Sequence, residues 1–331
     1  MKTPYRSRVA GIGSYLPEHI LSNHDLEKMV DTNDQWIKER TGIERRHIAS
    51  KDQCTSDLCL IATENALADA QMKASDIDFI LIATSTPDQV MPNTAAVLQH
   101  KLGITSIPCL DVSAACSGFV YGLSVADQFI RTGMYKNILV IGAEIISRLV
   151  NYKDRETCIL FGDGAGAWIL SRTDADANDG IFSTHLHANG EVGDLFVLPA
   201  GGSKMPFTQE VLDKGQHYVV MKGREIFRHA VRTLTECCHE ALKANNVESS
   251  QVDWVVPHQA NVRILDSVAE YFGIPKEKVI VSLNETGNTS AASIPLAFYM
   301  AVKEGKIKRG QMILLAAFGA GLTSGSALMR Y

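Results

Sequence analysis

The sequence predicts a layered α/β protein built from two copies of one fold, on three observations. First, near-continuous apolar runs recur: FILIATST at 79–86, IPCLDV at 107–112, NILVIGAE at 137–144, WILS at 168–171, DWVVP at 253–257, VIVSL at 279–283 and MILLAAF at 312–318. Runs without polar alternation mark strands buried on both faces. Second, stretches with helical spacing lie between them, such as Leu58, Ile61, Ala62, Asn65 and Ala66, and later Val262, Leu265, Val268, Ala269 and Phe272. This alternation gives sheets covered by helices.

The third observation is an internal echo. ALADAQMKASDID (66–78) and ALKANNVESSQVD (241–253) share Ala66/Ala241, Leu67/Leu242, Ser75/Ser250 and Asp78/Asp253, and each precedes a strand-like run. Further on, 107–133 parallels 279–305 in a register that sets Cys116 opposite Asn288 and Gly133 opposite Gly305. Each copy closes on a Gly-rich segment, FGDGAGAWIL (161–170) and FGAGLTSGSALM (318–329). The polar tract RTDADANDG at 172–180 reads as the hinge, which divides the chain into halves 1–172 and 173–331.

Composition excludes several function classes. Thirty-two Lys and Arg against 37 Asp and Glu give a net charge of -5, so no global positive field recruits nucleic acid. Seven scattered cysteines read as thiols of a reducing compartment, and a cytoplasmic location is expected. No apolar run approaches the ~20 residues that span a bilayer, and the first residues lack the apolar core of a signal peptide. Gly11 and Gly13 lack the third glycine of a dinucleotide fingerprint, and Gly162, Gly164 and Gly166 have the wrong spacing. His185 and His187 share a strand face, but no carboxylate or thiol joins them with ligand spacing, so no metal site is expected.

In open α/β sheets, ligands gather beyond the carboxyl ends of the strands. Cys116, His258 and Asn288 each follow a predicted strand. Cys116 opens a helix, where unpaired N–H groups favour thiolate, and its small neighbours Ala114, Ala115, Ser117 and Gly118 leave room for a substrate. The other six cysteines read as inert packing. Taken singly, His258 reads equally well as a satisfied histidine at a strand end, and Asn288 in TGNTS as turn chemistry. Arg224, Arg228 and Arg232 recur every four residues on one helical face, either as a solvated stripe or as a receiver of an acidic partner.

DVSAACSGF around Cys116, VVPHQAN around His258, ETGNTSAAS around Asn288, FGDGAGA and AFGAGLTSGSA together resemble the β-ketoacyl-acyl carrier protein synthase III family, essentially end to end. The resemblance implies the thiolase-like α-β-α-β-α fold, five layers made of two pseudo-symmetric halves. It implies that Cys116 takes the acyl group from an acyl-CoA primer, with the N–H groups of Cys116 and Gly321 as oxyanion hole. His258 and Asn288 would then stabilise the enolate released from malonyl-acyl carrier protein, with no metal or redox cofactor. Trp36 and Arg155 would clamp the CoA adenine, Thr32 and Arg40 contact the nucleotide, and Asn261 the pantetheine arm. Arg224, Arg228 and Arg263 would receive the acidic carrier protein, and a homodimer is expected. Met91 would stand at the end of the acyl pocket and Ala320 would replace a frequent glycine, which together imply room for primers longer than acetyl. A specialised-starter ketosynthase, an acyltransferase to oxygen or nitrogen, and a silent scaffold binding CoA or carrier protein are the alternatives. A thiolase is disfavoured because no cysteine follows Cys238.

Overall fold

The computed structural model describes residues 4–331. In the first half, β1 (Tyr5–Tyr15), α1 (Asp34–Thr41), α2 (Thr55–Ala70), β2 (Phe79–Ala83), β3 (Cys109–Val112), α3 (Gly118–Arg131), β4 (Asn137–Glu144) and β5 (Gly164–Asp174) follow in order. The second half holds β6 (Gly180–His187), α4 (Gly223–Asn245), β7 (Trp254–Pro257), α5 (Val262–Phe272), α6 (Ser293–Lys303), β8 (Met312–Gly319) and β9 (Thr323–Arg330). The first sheet runs β1-β5-β4-β2-β3, with β4, β2 and β3 parallel and β5 antiparallel to both its neighbours. The second runs β6-β9-β8-β7 with the corresponding orientations.

The apolar runs form strands for the predicted reason: β2 and β8 are buried along their whole length. Helices α3 and α6 lie between the two sheets, and their apolar faces close one core with Trp168, Phe119, Phe298 and Leu315. Helix α2 covers the outer face of the first sheet and α4 that of the second, so the chain has the five expected layers.

Three sequence expectations are corrected. VIVSL (279–283) forms no strand: Val279 makes only an isolated bridge to Val255, and Leu283 begins a short helix, Leu283–Thr286. The strand carrying WILS runs on to Asp174, two residues past the expected division, and β6 begins at Gly180. The Cys116/Asn288 register also fails. One offset of 175 relates the left-handed caps Gln71 and Asn246, the turns Ala74–Asp76 and Ser249–Gln251, and strands β4 and β8. At that offset the 3-10 turn Ala115–Ser117 corresponds to Ser290–Ala292, with φ +47° at Ala115 and +50° at Ser290. Cys116 therefore corresponds to Ala291. Helix α6 is three residues shorter than α3 (11 against 14), which returns Gly133 and Gly305 to the register read from sequence.

Strand β1 escaped the pattern because glycine interrupts it. Helix α2 packs so close that a Cβ at Gly11 would stand 2.6 Å from the Ala66 carbonyl oxygen, and one at Gly13 2.1 Å from that of Ala62. Both glycines serve helix-on-sheet packing.

Candidate active site

Cys116, His258 and Asn288 converge on one cleft of about 1050 Å³, although they come from three separate segments. Cys116 occupies the turn at the N-terminus of α3. Thr323 Oγ1 donates to the Ala114 carbonyl and Ser117 Oγ to that of Thr323, both at 2.9 Å, which ties this turn to the C-terminal loop. Gly319 lets the two segments meet, because a Cβ there would lie 2.7 Å from the Cys116 nitrogen. His258 directly follows β7 and donates its backbone N–H to Ala316 at 2.8 Å. Asn288 crosses to the first half: its N–H donates to Leu160 and its carbonyl accepts from Gly162. Buried Arg46 braces that wall by donating to the Ile159 carbonyl and to Asn23 Oδ1.

Burial dominates the electrostatics at this end. It pushes the Cys116 thiol up to about 12, with the Ser290 side chain working against it and Glu144 adding to it. Helix position favours the thiolate, as expected, but burial opposes it, so the sulfur rests as a thiol. Burial also lowers His258 to about 3, so its imidazole is neutral at physiological pH. His258 Nδ1 lies 2.7 Å from Ser293 Oγ, which accepts the Gln259 N–H at 3.4 Å. A hydroxyl that accepts from Gln259 is free to give its proton to Nδ1, and we assign the ring proton to Nε2 on that ground. Asn288 Oδ1 accepts the Ser290 N–H at 2.9 Å, which turns the amide NH2 away from the turn. One thiol and two neutral donors thus share a buried site, an arrangement suited to covalent acyl transfer and to stabilising negative charge on oxygen.

The other end of the cleft is exposed and cationic. Trp36, Arg40, Arg155 and Asn261 line it, as do Arg224, Arg228 and Arg263. The guanidinium carbons of Arg40 and Arg155 each lie 4.8 Å from the Trp36 ring centroid, and Arg155 donates to the Asp31 carbonyl. Asn261 donates to the Arg40 carbonyl and caps α5 by accepting the Arg263 N–H.

Three expected residues stand elsewhere. Thr32 is off the cleft wall, its Oγ1 buried and unpartnered among the described residues. Gly321 is off the wall too, and Gly319 and Ala320 line it instead. Met91 is 80% exposed on a loop beside β3 and does not reach the cleft of its own chain. His185 and His187 do meet a carboxylate, since Glu240 of α4 lies 3.4 Å and 2.6 Å from them. Ser290, Ser293 and Glu144 were not read from sequence, because their links to Cys116 and His258 cross between segments far apart in the chain.

A two-sheet thiolase-type fold with a buried cysteine, a neutral histidine and an asparagine at its midline defines a condensing enzyme of the acyltransferase type. The chain belongs to the 3-oxoacyl-[acyl-carrier-protein] synthase III family, whose family profiles match residues 110–190 and, for the C-terminal part, 242–331. It is 49% identical over 325 residues to the β-ketoacyl-[acyl-carrier-protein] synthase III of Xanthomonas campestris, covering 98% of each chain. The crystal structure of the synthase III from Aquifex aeolicus superposes with a TM-score of 0.90 at 45% identity, over 98% of this chain and 100% of that one. The Pseudomonas aeruginosa synthase III superposes with a TM-score of 0.91 at 38% identity, over 98% of both chains.

The depressed His258 value has a consequence for stability. Histidine in the unfolded chain titrates near 6.5, so below that pH the unfolded state binds the extra proton. The His258 contribution is intact above pH 6.5 and declines toward pH 3, by up to about 1.4 kcal/mol per unit. Urea unfolding should show His258→Gln losing less stability than the native chain between pH 6.5 and 4.5. Equal slopes would contradict a neutral buried ring.

Proposed function

We propose that the chain condenses an acyl-CoA primer with malonyl-acyl carrier protein, with loss of CO2, to give a 3-oxoacyl-acyl carrier protein that starts fatty acid synthesis in the cytoplasm. One observation carries the reading: a single cleft joins a buried thiol, a neutral imidazole and an oriented amide to an arginine-rich opening bearing an indole. Cys116 Sγ attacks the primer thioester, and the CoA thiolate departs. Two N–H groups hold the oxyanion, that of Cys116 and, in place of Gly321, that of Ala320 on the cleft wall. Breaking the carboxylate bond of the malonyl group leaves an enolate whose oxygen accepts from His258 Nε2 and Asn288 Nδ2. Its α-carbon attacks the acyl carbonyl, and Sγ leaves. The residues need no metal or redox cofactor for these steps, because fixed neutral donors stabilise both negative oxygens.

Arg40, Arg155 and Trp36 bind the nucleotide of CoA, and Asn261 flanks the pantetheine arm. A base stacked between Trp36 and Arg155 requires a gap of about 7 Å, two van der Waals layers, so Arg155 swings off the indole and its Asp31 contacts as CoA enters. Thr32 sits near this end, one residue from Asp31. Arg224, Arg228 and Arg263 are exposed, with no carboxylate within 4.0 Å among the described residues, and they receive the acidic carrier protein. A division placed after Asp174 and before Gly180 assigns the nucleophile to the first half and both donors to the second. The chain pairs as a homodimer through the free edge at β3, where Leu110 is half-exposed and the adjoining Val90 and Met91 are 86% and 80% exposed.

Intact-mass measurement after exposure to acyl-CoAs of increasing length should show one acyl adduct, lost in Cys116→Ala and discharged by malonyl-acyl carrier protein. His258→Ala and Asn288→Ala should slow the discharge roughly 10²–10³-fold while leaving adduct formation within a few-fold. A persistent adduct in the native chain would point to another acceptor. Arg228→Glu should raise KM for malonyl-acyl carrier protein roughly 3–10-fold, more strongly at low salt, and spare KM for acyl-CoA; equal effects on both substrates would remove the docking assignment. Light scattering should give about twice the 36.1 kDa chain mass, and Leu110→Lys should reduce it to one chain.

A further inference from the structure

Glu144 ends β4 with its side chain fully buried, yet the steps above do not use it. Its carboxylate accepts from Thr86 Oγ1 at 2.7 Å, from the Ser85 N–H at 3.1 Å and from Ser290 Oγ at 3.0 Å. The Ser290 side chain also acts on the Cys116 thiol, drawing it down against burial, so the hydroxyl that donates to the carboxylate stands beside the nucleophile as well. That hydroxyl is held in place: Ser290 has φ +50° and donates its N–H to Asn288. The two turns also touch, since a Cβ at Gly118 would stand 3.4 Å from the Ala291 Cβ.

An amide would serve Thr86 and Ser85 as well as a carboxylate does. The carboxylate also disfavours the thiolate by its charge, so a purely structural role leaves its presence unexplained. We infer that Glu144 is a positioning residue that receives the Cys116 proton through the Ser290 hydroxyl as the sulfur attacks, and returns it when condensation frees the sulfur. The inference rests on the acyl-Cys116 reading above.

In acylation, the Sγ–H bond breaks and its proton passes to Ser290 Oγ while the Ser290 proton passes to Glu144. The Sγ–acyl bond forms, the acyl–CoA sulfur bond breaks, and the CoA thiolate takes one proton from solvent. In condensation, the carboxylate leaves as CO2 and its bonding pair makes the new carbon–carbon bond. Sγ departs with the pair of its broken bond, and Glu144 returns its proton through Ser290. The cycle consumes one solvent proton, the one carried away on CoA.

Burial raises Glu144 to about 7, with the Thr86, Ser85, Ser290 and Thr84 hydrogen bonds opposing, so it exchanges a proton near neutral pH. The other titratable group that feels it is Cys59 of α2, a fully buried thiol raised by burial and by Asp88, Asp111 and Glu144, with Lys101 opposing.

Single-turnover acylation of the full chain, followed by intact mass from pH 5.5 to 9, tests the inference. The native rate should rise through pH 7 as Glu144 ionises and then level. Glu144→Gln and Ser290→Ala should each lose that limb and fall roughly 10²-fold at pH 8, with Glu144→Asp restoring part of both. Ser290→Ala leaves the Thr86 and Ser85 bonds to Glu144 in place, so it reports even if Glu144→Gln folds poorly. Acylation that is unchanged or faster in Glu144→Gln would mean that the carboxylate acts only by charge, and would overturn the inference. Failure of the native chain to acylate at all would instead overturn the acyl-Cys116 reading.

Discussion

The site depends on the close meeting of two turns at the midline, Ala115–Ser117 from the first half and Ser290–Ala292 from the second. A Cβ at Gly142 would lie 2.2 Å from the Ala291 carbonyl oxygen, so β4 can pass beneath the second turn only as glycine. Gly319 allows β8 the same approach to the first turn. Each turn opens with a non-glycine residue in left-handed conformation, at a cost of about 1–3 kcal/mol apiece. Thr323, Ser117 and Asn288 supply the hydrogen bonds that hold the turns there.

Burial follows from that contact, and the chemistry follows from burial. Helix ends and strands crowd the midline and exclude water, and each ionisable group there shifts toward its neutral form: the Cys116 thiol upward, the Glu144 carboxyl upward and the His258 imidazole downward. A neutral, rigid pocket strengthens every dipole aimed into it, which is what an oxyanion or enolate requires. It also leaves the nucleophile protonated, so attack must be coupled to removal of a proton. The exposed end obeys the opposite rule: Arg40, Arg155, Arg224, Arg228 and Arg263 stand in water, where they attract anions without a desolvation cost.

What could be read in the sequence was what is local. The strands of NILVIGAE and MILLAAF and the helix over Val262–Phe272 are carried by adjacent residues, and the structure reproduces them; Cys116, His258 and Asn288 also stood out by local context, and they line one cleft. The repeat was visible, but its register at Cys116 was not, because the three-residue shortening lies inside α6, where helical spacing hides it. Neither Glu144, at the end of the run NILVIGAE, nor Ser290, at the end of TGNTS, stood out in the sequence, because the hydrogen bond joining them spans 146 positions. The resemblance pointed to Gly321 beside the nucleophile, whereas Gly319 and Ala320 are the residues of that loop that line the cleft. Met91 is exposed and off the cleft of its own chain, so one chain alone does not show what it borders.

The corrected register explains how a repeated fold acquires one asymmetric site. At the offset of 175, Glu144 corresponds to Gly319, and each ends a central strand that abuts the turn of the opposite half. Beneath Cys116 the strand ends in glycine, which brings backbone to backbone and leaves the space above the sulfur for a substrate. Beneath Ser290 it ends in glutamate, which fills the equivalent space with a carboxylate. The turns differ in the same sense: Ala115-Cys116 in one is Ser290-Ala291 in the other. One copy thus keeps the sulfur and an open approach, the other the hydroxyl and a buried acid, and contact across the midline makes one site of the two.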